Sequence, residues 1–171
     1  MQNYFELFDL ETSFLVDDEA LKKAYQAQVT RFHPDNFATK SQAEQLQALQ
    51  NTSLVNSAYT ALKTPLNRAS YLLNLEDVDP FDEKDTNMDA NFLLSQIELR
   101  EQLEGIKEQQ DSLALDEFIE RVQDFIRDNV ASISEAFMQS KDLQEIKTLV
   151  RELKFYDQLN KEANILMDEW L

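Results

Sequence analysis

The chain has 171 residues, enough for one domain or two small ones. Its 16 Lys and Arg against 33 Asp and Glu give a net charge of −17, the wrong sign for a nucleic-acid partner. One glycine, no cysteine and a single histidine argue against a turn-rich β-fold and exclude glycine-rich phosphate loops, disulfides, thiolate zinc and multi-histidine metal sites, so no metal or cofactor is expected.

No apolar run approaches the ~20 residues of a membrane span. The start, Met1-Gln2-Asn3-Tyr4-Phe5-Glu6, lacks the basic and apolar stretches of a signal peptide. The expectation is a soluble, cytoplasmic, all-α protein with no membrane partner, and 43% apolar residues suffice for real cores.

Four helices are predicted first. The opening one is short and carries Tyr4, Phe5, Leu7 and Phe8. The second opens at Asp17 or Asp18, with Glu19 complementing the helix dipole. Its apolar face is Leu21, Tyr25, Val29 and Phe32. It ends at His33, because Pro34 drives the residue before it out of helical dihedrals. The third starts near Ser41, with Glu44 in a capping-box position, and runs through Leu46, Leu49, Val55, Ala58, Tyr59 and Leu62. Thr64-Pro65 breaks it, and a short fourth helix holds Leu66, Ala69, Leu72 and Leu73, ending near Leu75.

Residues 76–85 carry six acids, a proline and no helical apolar stripe, which reads as an acidic linker, drawn over 76–88. Charge shifts there, from a net of −2 over residues 1–75 to −15 over 76–171. Three longer helices follow, consistent with a bundle over 89–171. The first spans about Asp89 to Gln110. The second carries Leu115, Phe118, Ile119, Val122, Phe125, Ile126, Ile133 and Phe137. The third starts near Lys141 and carries Leu143, Ile146, Leu149, Val150 and Leu153, continuing to Trp170. These stripes read as core.

The turn between the second and third helices is His33-Pro34-Asp35. Its residues alone allow bland roles: an imidazolium at a helix C-terminus, a helix stop, an Asx-turn. A hydrolytic pairing of His33 with Asp35 lacks a nucleophile and an oxyanion loop, so no enzyme is expected. Between Ala20 and Pro34 the only charged side chains are Lys22, Lys23 and Arg31. They form a cationic patch, which implies an acidic partner surface and steering as its mechanism.

At this point the sequence resembles a family. Tyr4-Phe5-Glu6-Leu7-Phe8, Leu21, Lys22, Tyr25, Phe32-His33-Pro34-Asp35 and Asn56-Ser57-Ala58-Tyr59 with Leu62 resemble a J-domain, here residues 1–75. Asn36 stands where J-domains commonly have Lys. Ser41-Gln42-Ala43-Glu44-Gln45-Leu46, Pro65-Leu66-Asn67-Arg68-Ala69-Ser70-Tyr71-Leu72-Leu73 and Phe92-Leu93-Leu94 with Gln96 and Glu98-Leu99-Arg100-Glu101 resemble the HscB family of iron–sulfur co-chaperones. The resemblance implies a J-domain that stimulates an HscA/DnaK-type ATPase chaperone through His33, Pro34, Asp35, Lys22, Lys23 and Arg31. It also implies a bundle that holds an IscU-type scaffold. A J-domain protein with another client, and an acidic helical scaffold without ATPase coupling, stand as alternatives.

The helix after the linker has too many apolar faces. At about 100° per residue, Phe92, Leu99, Leu103 and Ile106 share an arc of about 60°. Measured from Phe92 on the same spacing, Leu93 lies at about 100°, Ile97 at about 140° and Leu94 at about 200°. Two carboxylates border them, Glu101 at about 180° and Glu98 at about 240°. An apolar centre with a polar rim is interface anatomy. The resemblance implies Leu93, Ile97, Glu98, Glu101 and Phe155 as scaffold contacts; Leu94 stands where relatives can have Met, and Gly105 where an acidic contact occurs. Leu93, Leu94, Ile97 and Phe155 are therefore expected on one exposed surface.

Overall fold

A computed structural model describes residues 2–85 and 88–171, in two compact units divided after Leu75. The described residues form helices and turns and no strand.

The first unit contains α1 (Tyr4–Leu7), α2 (Asp18–Phe32), a 3-10 turn (Pro34–Phe37), α3 (Gln42–Leu62) and α4 (Pro65–Leu75). Side chains set most of its boundaries. The Asp17 carboxylate accepts from the amides of Glu19 and Ala20, which starts α2. The Ser41 hydroxyl accepts from the Glu44 amide, which starts α3. The reciprocal capping box sits instead at α1, where Asn3 and Glu6 satisfy each other's amides.

Tyr25 on α2 stacks on Tyr59 and donates to Asn56, and the Phe32 carbonyl accepts from Thr52. Those pairings run in opposite directions along the two helices, so α2 and α3 form an antiparallel hairpin. Phe5, Phe8, Leu21, Val55, Ala58 and Leu62 fill its core. Arg68 is buried, donates to the Leu62 carbonyl at 2.8 Å and lies over the Phe14 ring. It thereby satisfies an end carbonyl of α3 that the helix itself leaves open.

Leu46 and Leu49 do not belong to the core stripe expected of α3; both are 56% exposed. The buried residues are Ala48, Val55, Ala58 and Leu62, which share one narrow side of the helix. The two leucines lie on its other side.

The second unit contains α5 (Ala90–Gln109), α6 (Ser112–Met138) and α7 (Leu143–Trp170). Asp89, Asp111 and Asp142 cap their starts. Phe125 meets Tyr156 and Asn129 meets Glu152, so α6 and α7 are antiparallel. Phe92 meets Phe155, and Arg100 meets Glu162, so α5 runs parallel to α7. The result is an up-down-up bundle around Leu103, Leu115, Phe118, Val122 and Leu159. Phe125, expected in the core stripe of α6, is 40% exposed and stacks on Tyr156.

The acidic segment before α5 is tied to this bundle. Asp85 pairs with Lys147 and, at 3.6 Å, with Arg151; Lys154 lies over the Phe81 ring at 4.2 Å; Pro80 is buried. Two residues of the expected linker, Thr86 and Asn87, lie outside the described residues.

Candidate functional site

The loop after α2 is held from three sides. The Asn36 side-chain amide donates to the Thr30 carbonyl at 2.7 Å, and the Thr52 hydroxyl from α3 lies 3.1 Å from the Phe32 carbonyl. The Phe32 carbonyl is one that the last turn of α2 leaves open; the Thr30 carbonyl also takes the His33 amide at 3.4 Å, and the Thr52 hydroxyl lies 2.9 Å from the Ala48 carbonyl as well. Gln45, also on α3, donates to the carbonyls of Ala38 and Lys40. The His33 ring acts inside the loop, where its Nδ1 accepts from the Asp35 amide at 3.2 Å. An accepting Nδ1 needs a free lone pair, so the proton of the neutral ring sits on Nε2. The His33 ring thus caps the 3-10 turn that follows it, while its backbone amide closes the end of α2 on the Thr30 carbonyl. Pro34 takes the first position of that turn, where its missing N–H costs nothing.

Asp35 contributes no structural bond through its carboxylate. That side chain is 92% exposed, with one oxygen 3.6 Å from His33 Nδ1. The expected Asx-turn is therefore absent, and the backbone is fixed by Asn36, Thr52 and His33. A carboxylate on a fixed loop, free of structural duty, is suited to recognition. Asn36, a departure from the J-domain pattern in sequence, makes the tightest hydrogen bond of the loop. Nothing in the sequence pointed to either Asn36 or Thr52 in this role.

Lys22, Lys23 and Arg31 are exposed on α2, and Arg31 lies over its neighbour Phe32. Among the described residues none of the three forms an ion pair. Asp18 and Glu19 stand exposed one helical turn before Lys22 and Lys23, so the three cations are unpaired but not free of nearby carboxylates.

On α5, Leu93, Leu94 and Ile97 are 42%, 58% and 55% exposed, on the side opposite buried Phe92, Leu99 and Leu103. Glu98 and Glu101 are exposed beside them. The fourth member of the expected surface is elsewhere. Phe155 is only 9% exposed and belongs to the bundle core. Its ring takes the edge of Phe92 at 5.8 Å, and the Arg100 guanidinium lies over it at 5.5 Å. The face of α7 opposite its α6-facing stripe is covered by α5, which a helical wheel of α7 alone does not reveal. The exposed patch is therefore three residues on one helix with a carboxylate edge. Gly105 is on the same helix, and a Cβ there would meet nothing within 4 Å.

Beneath the bundle surface, burial first and the nearby Asp89 second push the Glu152 carboxyl above its ordinary pKa. Burial does the same for the Tyr156 hydroxyl, aided by Glu152. Among the described residues no cluster of His, Asp and Glu could hold a metal ion, and no helix is long and apolar enough to cross a membrane.

Comparison with known proteins covers both units. The family model described as the DnaJ domain matches residues 3–71, and the one described as the HSCB C-terminal oligomerisation domain matches residues 88–164. A co-chaperone protein HscB homolog of Aliivibrio salmonicida is 39% identical over 99% of this chain and 99% of its own. The solved chaperone HscB from Vibrio cholerae superposes with a TM-score of 0.89 at 38% identity, covering 99% of this chain and all of that one. The human co-chaperone protein HscB superposes equally well at 30% identity, covering 96% of this chain and 82% of that one.

Proposed function

The chain belongs to the HscB family of J-domain co-chaperones, and from that membership we propose that it stimulates the ATPase of an HscA/DnaK-type chaperone while delivering an IscU-type iron–sulfur scaffold to it. The division of labour follows the chain: residues 1–75 act as the J-domain, 76–88 as an acidic connection and 89–171 as the scaffold-binding bundle. The proposed compartment is the cytoplasm, and the chain itself makes and breaks no covalent bond.

The observation that carries this reading is the loop. His33 and Asn36 fix its backbone while the Asp35 carboxylate projects into solvent. A rigid loop can bias a partner between two states only through contacts that differ between them. A fixed exposed carboxylate just past the end of α2 would supply contacts of that kind. Lys22, Lys23 and Arg31 would steer an acidic chaperone surface onto α2, an attraction that falls off over a Debye length of about 8 Å at physiological salt. On α5, Leu93, Leu94 and Ile97 would form the apolar centre for the scaffold, with Glu98 and Glu101 on the rim.

Single-turnover ATP hydrolysis by an HscA-type chaperone tests the assignment. Asp35→Asn keeps shape and removes the charge, and stimulation should fall to the basal rate. Because the carboxylate holds nothing in place, stability should stay within about 0.5 kcal/mol of wild type, as for most surface substitutions. A variant that still stimulates fully refutes the loop's role.

A further inference from the structure

α3 carries a surface that the proposed function leaves unused. Among its 21 residues Glu44 is the only charged one, in a chain that is 29% charged. Its exposed side carries Leu46 and Leu49, both more than half exposed, among Gln42, Gln50, Ser53 and Ser57.

Their position follows from the helical period. At about 100° per residue, the α3 residues bonded to α2 or to its loop fall within about 40° of one another. They are Thr52, Gln45 and Asn56. Leu49 lies about 20° beyond Asn56, on the rim of that seam, and Leu46 about 60° further out. Along the axis, Leu49 stands between Gln45, bonded to the loop carbonyls, and Thr52, beside the last carbonyl of α2. The two leucines therefore adjoin the segment that joins α2 to α3, near its Ala38 and Lys40 carbonyls. Leu54, 45% exposed, lies on the opposite rim, beside Tyr4 and Tyr71.

We propose that Leu46 and Leu49 form an apolar docking rim for the Hsp70-type chaperone, resting on an uncharged apolar surface that adjoins the acidic surface engaged by α2. This rests on the reading of the loop given above. Two features favour that occupant. The rim adjoins the segment that begins with the loop, so a partner seated on the loop can extend onto it. It is also uncharged in a chain of net −17, so an anionic partner approaches it without the repulsion met elsewhere. Long-range attraction then comes from α2, and short-range affinity from desolvating the two leucines.

Leu46→Gln with Leu49→Gln tests the rim. Glutamine matches its neighbours, keeps helix propensity and adds no charge. Affinity for an HscA-type chaperone in its ATP state should fall about tenfold, as expected from removing ~1.4 kcal/mol of apolar contact. Maximal ATPase stimulation at saturation should persist, and the salt dependence of association should not change. Leu54→Gln, the same change on the opposite rim, should bind like wild type. If the leucine pair binds like wild type, or Leu54→Gln weakens binding equally, the rim is refuted and the loop reading stands. If Asp35→Asn stimulates fully while the leucine pair still weakens binding, the loop reading falls and the rim stands. Sedimentation of the chain alone covers the remaining occupant: a wild-type dimer dissolved by the pair, with chaperone affinity unchanged, would assign the rim to self-association and overturn the proposal.

Discussion

Truncating the apolar triad of α5 separates binding from folding. Leu93, Leu94 and Ile97 are each about half exposed, between 42% and 58%. Complete burial of such a side chain is worth about 1.5–3 kcal/mol, so covering the free half contributes about 0.8–1.5 kcal/mol per residue. For the three together that is about 2–4 kcal/mol, or roughly 30- to 1000-fold in Kd. Folding loses less, because each truncation falls short of the ~2–5 kcal/mol typical of a buried leucine. Phe155 behaves in the opposite way. It is enclosed by Phe92 and Arg100, so Phe155→Ala should cost about 3–5 kcal/mol of folding stability, a large part of the total for a protein of this size. The assay pairs calorimetric titration of an IscU-type scaffold with urea unfolding, on the Leu93→Ala, Leu94→Ala, Ile97→Ala triple variant and on Phe155→Ala. The triple variant should lose affinity and nearly keep its midpoint; Phe155→Ala should lower its midpoint severely. A triple variant that binds like wild type refutes the interface, and one whose midpoint collapses shows the triad to be structural.

Two further substitutions probe the stability of the bundle. Gly105 sits in the interior of α5 with open space where a Cβ would go, so Gly105→Ala should stabilise by about 0.5–1 kcal/mol and raise the calorimetric midpoint; a lowered midpoint would contradict the open geometry. Glu152 holds its proton more tightly folded than unfolded, so the native state binds more protons and stability falls as pH rises from the unfolded carboxyl pKa through the folded one. Glu152→Gln should therefore raise the urea midpoint at pH 7, with the advantage fading below about pH 4, under the ordinary glutamate range. A difference that does not vary with pH would refute that sign.

Much of the fold was legible because local chemistry and tertiary structure agree. Asp17, Ser41, Asp89 and the His33-Pro34 break mark helix ends through backbone dihedrals and capping, which need no knowledge of neighbours. The loop was legible as a motif, yet its construction was not, since Thr52 and Gln45 arrive from across the hairpin. Phe155 shows the same limit. The wheel of α7 separates the side facing α6 from its opposite, but only the packing of α5 decides whether that opposite side meets water. Leu46 and Leu49 fail the other way: a leucine at helical spacing reads as core, and on α3 the core is made by Ala48, Val55, Ala58 and Leu62 without them.

Charge is distributed unevenly between the two units. In the C-terminal half, Arg100, Arg127 and Lys161 are paired with Glu162, Asp124 and Asp157. Lys147 and Arg151 hold Asp85, and Lys154 covers Phe81. These cations neutralise carboxylates of their own unit and leave it strongly anionic. On α2, Lys22, Lys23 and Arg31 form no ion pair among the described residues, with Asp18 and Glu19 one turn before the two lysines. On the proposed function, an acidic chaperone surface would be repelled by the strongly anionic unit and drawn to α2, so that like-charge repulsion would add to the selection made by attraction. On the same proposal, the α5 triad would discriminate by shape and apolar contact, with Glu98 and Glu101 disfavouring anionic competitors at its rim.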